Sequence, residues 1–145
     1  MRRGMYVTAL YALLDPALGT AQVLCAGHRV PLLRSDAAEG AMRVVHPEGI
    51  ALGFDKGPVF DRRIQLVETP IEPGDRFLLS NAGPVEVHNT EGRELGEKAF
   101  YTRVLKHAEK PTPPFLKSLR RDLQAFIGTD DVDRDISLVT IRREA

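Results

Sequence analysis

Four aspartates, Asp130, Asp131, Asp133 and Asp135, crowd into one short stretch near the C-terminal end of the chain. Carboxylates at alternate positions are how a short loop gathers a hard cation such as Ca²⁺, and Asp131-x-Asp133-x-Asp135 has that opening spacing. Two later positions break the pattern. Ile136 stands where such a loop needs a glycine turn, and Arg142 stands where it needs a bidentate glutamate. A solvated acidic loop is the expected state, with a weak cation site as the competing reading. His28, after Ala26-Gly27, carries the one side-chain type that titrates near neutral pH unperturbed. No Ser, Cys or Asp can be placed beside it from sequence, so it reads as a hydrogen-bonded structural histidine. His46, His88 and His107 lack metal-ligand spacing and read as surface residues.

Asn81-Ala82-Gly83-Pro84 follows a short apolar stretch, and successive backbone N–H groups at a strand end can nest an anion. Pro84 removes one donor, so a plain strand-ending turn is expected. Cys25 is the single cysteine, which excludes an internal disulfide framework and fits a reducing cytoplasm. Nothing in its local sequence would lower its pKa, and it reads as a small apolar filler in a strand.

The elements that must position these residues change character along the chain. Residues 5–14 are apolar and β-forming, as a strand buried on both faces would be, and they stop at the turn chemistry of Asp15-Pro16. Residues 20–26 and 30–33 read as two further strands of an antiparallel meander. Residues 35–40 read as a polar loop, 42–45 as a short strand, 49–57 as irregular and 62–71 as a strand. Glu72-Pro73-Gly74-Asp75 is a tight turn before a buried strand over 76–80. Residues 96–108 then place Phe100, Val104 and Leu105 at helical spacing. A second helix follows Pro111-Thr112-Pro113-Pro114, with Phe115, Leu116, Leu119, Leu123, Phe126 and Ile127 on one stripe and Lys117, Arg120, Arg121 and Asp122 opposite. Gly128 is a natural cap, and residues 136–141 alternate as a closing strand would. Period two along that strand would turn Asp133 and Asp135 away from Arg134. Strands segregated from helices imply an α+β fold over residues 1–145 as one domain.

The bulk numbers exclude some partners. Lys plus Arg and Asp plus Glu number 20 each, so no net charge draws the chain to nucleic acid or an anionic membrane. No apolar run approaches the ~20 residues that cross a bilayer, and no signal-peptide pattern opens the chain.

Several segments, in order, resemble the SpoIIE-type branch of the protein phosphatase 2C family. Residues 4–16 look like its buried strand and turn. Cys25-Ala26-Gly27-His28-Arg29-Val30-Pro31-Leu32-Leu33 is similar to its N-A-G-H-x-P-P-L-L segment, with Cys where Asn is usual. Residues 72–83 resemble x-P-G-D-x-L-L-L-Y-T-D-G, and Glu86-Val87-His88-Asn89 with residues 92–96 resemble E-A-R-N and its glycine-bounded tail. Residues 134–139 resemble D-D-I-T-L-L. The likeness covers nearly the whole chain.

The resemblance implies an α-β-β-α sandwich lacking its N-terminal portion. It also implies a reaction in which two Mn²⁺ or Mg²⁺ ions, held by carboxylates from separate strands, activate water against phosphoserine or phosphothreonine. Three acidic positions supply the ligands. The first belongs to a D-x-x-G-H-G motif that should lie upstream and occurs nowhere in this sequence; the second corresponds to Ala82 and the third to Arg134. A methyl cannot ligate a metal, and a guanidinium repels one. Asn81, Gly83, Asp133, Asp135 and His28 remain as neighbours of that degenerate site. The expectation is therefore a cytoplasmic, regulatory phosphatase-like module with no catalytic residues and no bound metal. It would dock a protein partner, of the kind of an anti-sigma-factor antagonist, and form a homodimer. The alternative is an active metal-dependent serine phosphatase that uses atypical ligands or a complementary half. The basic face at Lys117, Arg120 and Arg121 reads as solvated, or else as a dock for an acidic partner.

Overall fold

The computed structural model describes residues 4–144. They form two compact units, Met1–Leu32 with Val44–Ile71 and Leu33–Arg43 with Glu72–Ala145. The expected α+β class is borne out, with antiparallel sheets and with the two long helices following β6.

The first unit is built on a three-stranded sheet in the order β1-β2-β5, from β1 (Ala9–Asp15), β2 (Thr20–Ala26) and β5 (Leu66–Pro70). The Asp15 carboxylate accepts the N–H groups of Ala17 (2.9 Å) and Leu18 (3.0 Å), which closes the β1–β2 hairpin. Ala21, Val23 and Cys25 of β2 are buried on one face. Burial pushes the Cys25 thiol above its ordinary pKa, and its Sγ donates to the His28 carbonyl at 3.4 Å, the inert filler the sequence implies. The opposite face carries a row in register, Tyr11, Leu24 and Leu66, with Tyr11 and Leu66 more than half exposed. Residues 5–14 are therefore not a strand buried on both faces. The strand starts at Ala9, forms one edge of the sheet and leaves Tyr11 and Leu13 in solvent. Its apolar residues made a half-covered strand look fully buried.

Residues 62–71 are not one strand either. A short helix, α1 (Pro58–Arg63), precedes β5, with Asp55 accepting the N–H groups of Gly57 and Val59 at 3.0 Å each. Proline at its first turn was the available signal.

The second unit's sheet runs β4-β3-β6-β7, from β3 (Leu32–Asp36), β4 (Ala41–Val45), β6 (Arg76–Ser80) and β7 (Leu138–Arg142). The expected meander ends at β2, because β3 pairs with β6 in a different sheet, begins at residue 32 and continues through Ser35 and Asp36. The helices α3 (Glu97–His107) and α4 (Thr112–Ile127) follow the short α2 (Gly83–Glu86). Phe115, Leu119, Leu123 and Ile127 bury one side of α4, which ends where Gly128 takes the left-handed conformation. Phe126 is only half-buried, under the Arg103 guanidinium at 5.7 Å.

The charged side chains of Arg34, Asp75 and Arg76 lie inside this unit. Asp75, 1% exposed, accepts Arg34 Nε and Nη2 at 2.8 Å each, Ala37 N at 2.8 Å and Glu72 N at 2.9 Å. Arg76 gives its guanidinium to the carbonyls of Ala108 (3.1 Å) and Lys110 (2.6 Å) and to Thr140 Oγ1 (2.9 Å), and lies 4.0 Å over the Phe115 ring. It ties the α3–α4 connection to β6 and β7. His107 is no surface residue: it is buried, and its Nε2 meets Asp122 Oδ2 at 2.7 Å, joining α3 to α4. A histidine late in a helix suits the dipole whether it is buried or exposed, so sequence could not separate the two.

Candidate functional site

The chain leaves β6 at Ser80 and enters Asn81, whose side chain works as a two-way clasp. Its Nδ2 donates to the Asp135 carbonyl at 2.8 Å, and its Oδ1 accepts Ser137 N–H at 3.1 Å. Asn81 N–H also donates to the Ser137 carbonyl at 3.3 Å, so the β6–β7 ladder is prolonged beyond both strands. Gly83 then passes so close to the 130–137 segment that a Cβ there would lie 2.0 Å from the Asp135 carbonyl oxygen. Only glycine permits that approach. Asn81-Ala82-Gly83-Pro84 is thus not a plain turn but the entry to α2, with Pro84 in its first turn.

Two ion pairs close the cluster. His88 Nδ1 lies 2.9 Å from Asp133 Oδ2, and Arg134 Nε lies 3.5 Å from Glu86 Oε2. The hydrogen bond from His88 holds the Asp133 carboxyl below the usual aspartate range, helped by the charges of His88 and Arg134. Residues 81–83 thus meet the 133–137 segment through Asn81 and Gly83 at Asp135, while Asp133 and Arg134 reach His88 and Glu86. His28 belongs to the first unit, at the turn after β2. Residues 130–137 are not strand, so period two does not govern them: Asp133 turns to His88, Arg134 to Glu86, and Asp135 contributes its backbone carbonyl.

Glu86 and His88 were missed as parts of the cluster. Their motif was visible, but their partners lie more than forty residues away in sequence, as the separation of 45 for His88 and Asp133 shows. His46 is exposed, as read, whereas His88 is half-buried and paired.

Chemically, the arrangement is a clasp and not a ligand cage. The Glu86 carboxylate faces the Arg134 guanidinium, the Asp133 carboxylate faces the His88 imidazole, and Ala82 offers a methyl group. Among the described residues no three His, Cys, Asp or Glu side chains converge to hold a metal ion. Also among them, no helix is long and apolar enough to cross a membrane.

The model of the family Stage II sporulation protein E (SpoIIE) matches residues 1–144. No curated protein sequence matches the chain. Several solved structures do. The SiaA-PP2C domain of Pseudomonas aeruginosa is 24% identical, with a TM-score of 0.67 over 85% of this chain and 46% of that one. The RsbU and RsbW domains of a Mycobacterium tuberculosis protein give 25% identity and a TM-score of 0.69 over 95% of this chain and 36% of that one. The phosphatase domain of the cell fate determinant SpoIIE from Bacillus subtilis gives 12% and 0.65, over 94% and 56%. The chain thus spans between about a third and somewhat over half of the structures it matches. Its fold is the protein phosphatase 2C-like fold of those domains, and the chain belongs to the SpoIIE family.

Proposed function

We propose that this chain is a degenerate SpoIIE-type serine/threonine phosphatase-like domain that works as a regulatory, partner-binding module. One observation carries the reading. Where residues 81–83 meet residues 133–135, the two positions that the family resemblance assigns to metal-ligating acids hold a methyl, Ala82, and a guanidinium, Arg134, paired with Glu86. Mn²⁺ and Mg²⁺ need hard oxygen donors. The residues present do not fit such an ion. The partner class in this reading is an anti-sigma-factor antagonist-like protein, and what supports a partner is that one matching structure carries RsbU and RsbW domains in one protein.

Titration with Mn²⁺ and hydrolysis of a generic phosphoester test the reading together. We expect no stoichiometric Mn²⁺ binding at micromolar concentration and no metal-dependent turnover. The double substitution Ala82→Asp and Arg134→Asp should restore weak Mn²⁺ binding at most. Tight binding or turnover by the unmodified chain would establish the alternative, an active phosphatase with atypical ligands. The short span of the chain relative to its matches keeps a complementary half within that alternative.

The homodimer belongs to the same proposal. β1 is a sheet edge with no Lys, Arg or Pro to blunt it, beside exposed Tyr11 and Leu13. Unblunted edges recruit other chains. Light scattering across a dilution series should show a two-fold assembly, and a monomer at every concentration would refute it.

A further inference from the structure

The half of α4 that ends at Ile127 faces the 130–138 segment across an open groove of about 520 Å³. Its floor is apolar, with Leu116 from α4 against Val132, Ile136 and Leu138, above the buried Leu123 and Ile127. Its rim is not, because Arg120 and Arg134 line it from opposite walls. Arg120 makes no hydrogen bond or ion pair among the described residues, and Arg134 makes no side-chain hydrogen bond among them, approaching Glu86 Oε2 with Nε at 3.5 Å, so both guanidinium groups keep N–H donors for a ligand. Lys117 and Arg121 extend the positive face along α4.

We propose that this groove binds an acidic peptide segment of a partner protein, with its carboxylates on Arg120 and Arg134 and one apolar side chain on the Leu116–Ile136 floor. The inference rests on the partner-binding reading above and names its surface. Guanidinium groups recognise carboxylates through paired N–H donors, and an apolar floor between them fixes the register of an extended segment. The occupant is a protein segment and not a polyanion. Asp135 lines the same groove, and Asp130, Asp131 and Asp133 crowd its margin in sequence. A nucleic acid or an anionic lipid surface would meet those carboxylates as well as the arginines, whereas a peptide can place one or two negative charges between them.

The test selects binders to the immobilised full chain from a library of short random peptides and measures the synthesised winners by fluorescence polarisation. Selected peptides should carry Asp or Glu beside a large apolar residue, and binding should weaken with ionic strength. Arg120→Glu and Arg134→Gln, both at exposed positions, should each weaken binding by about tenfold, as expected for losing a charge-assisted contact. Arg93→Glu, exposed and outside the groove, should bind like the unmodified chain. Unchanged melting of all three variants excludes unfolding as the cause.

Selection of no peptide, or of basic or purely apolar peptides, overturns the proposal. Binding indifferent to both arginine substitutions overturns it too, while leaving a partner surface elsewhere. Self-association abolished by Arg120→Glu would mean that a second copy fills the groove, and would also sink it. Metal-dependent turnover, by contrast, would defeat the regulatory reading without touching the groove.

Discussion

The turns at the two ends of β6 both carry family-like motif residues, yet they are held in opposite ways. Before the strand, Asp75 is buried and accepts four hydrogen bonds from Arg34, Ala37 and Glu72. After it, the 81–88 segment meets residues 133–137 through partly exposed ion pairs and one asparagine clasp. At the first turn the carboxylate is part of the architecture. At the second, the architecture depends on Asn81 and on the missing side chain of Gly83, and nothing in the fold requires carboxylates at positions 82 and 134. A motif can therefore lose its chemistry and keep its shape when the two are carried by different atoms.

The sharpest way to break this comparison is Asp75→Ala. It leaves the buried Arg34 guanidinium with only Asp36 at 3.6 Å and strands two backbone N–H groups, so we expect a loss of roughly 3–5 kcal/mol in urea unfolding. A cost below about 1 kcal/mol would mean that the first turn is no anchor. Leu123→Ala, at a position 2% exposed in the α4 core, should cost roughly 2–5 kcal/mol, whereas Lys117→Ala on the exposed side should stay within about 0.5 kcal/mol. Equal effects would deny α4 its amphipathic role beside the second turn.

Gly83→Ala probes the second turn directly. The added methyl must displace the Asp135 carbonyl from 2.0 Å. Because the atom in the way is a backbone carbonyl held by Asn81, the cost should lie toward the upper end of ~1–3 kcal/mol. The displacement should appear as faster amide exchange at Ser137, whose N–H is held by Asn81. Unchanged exchange there would refute the close packing.

Much of the fold was legible because local signals agreed with the tertiary outcome. Residues 20–26 and 76–80 became strands with their expected bounds, and Gly128 capped α4. The failures share one physical cause, which is that partners distant in sequence decide burial. Tyr11 and Leu13 are apolar but stand on an uncovered face, and His107 is polar but sits inside against Asp122. At the candidate site, residues 81–83 and 133–135 could be placed together through motif order. The role of Glu86 could not be read, because its partner Arg134 reaches it only through the fold.

The finest comparison sets two histidine–aspartate pairs against each other. His107–Asp122 is enclosed, with side chains 4% and 16% exposed, while His88–Asp133 is open at 34% and 46%. Both carboxyls are held below the usual aspartate range. For Asp122, burial opposes ionisation, but the hydrogen bond and charge of His107, with Lys106, outweigh it. For Asp133 the His88 hydrogen bond leads. A carboxyl depressed in the folded state contributes stability above its unfolded pKa of about 3.9, and that contribution is lost as pH falls through the lower folded value. Acid should therefore weaken the fold through both pairs below about pH 4, but unequally, because solvent and salt screen the open one. Asp122→Asn should cost roughly 1–3 kcal/mol at neutral pH and flatten the acid limb of the stability curve. Asp133→Asn should change that limb little, and less still at high salt. Urea midpoints followed from neutral pH to about pH 2 decide the matter. Equal flattening by the two substitutions would show that the exposed cluster is as firmly held as the helix pair, and the contrast between anchored and replaceable acids would fail.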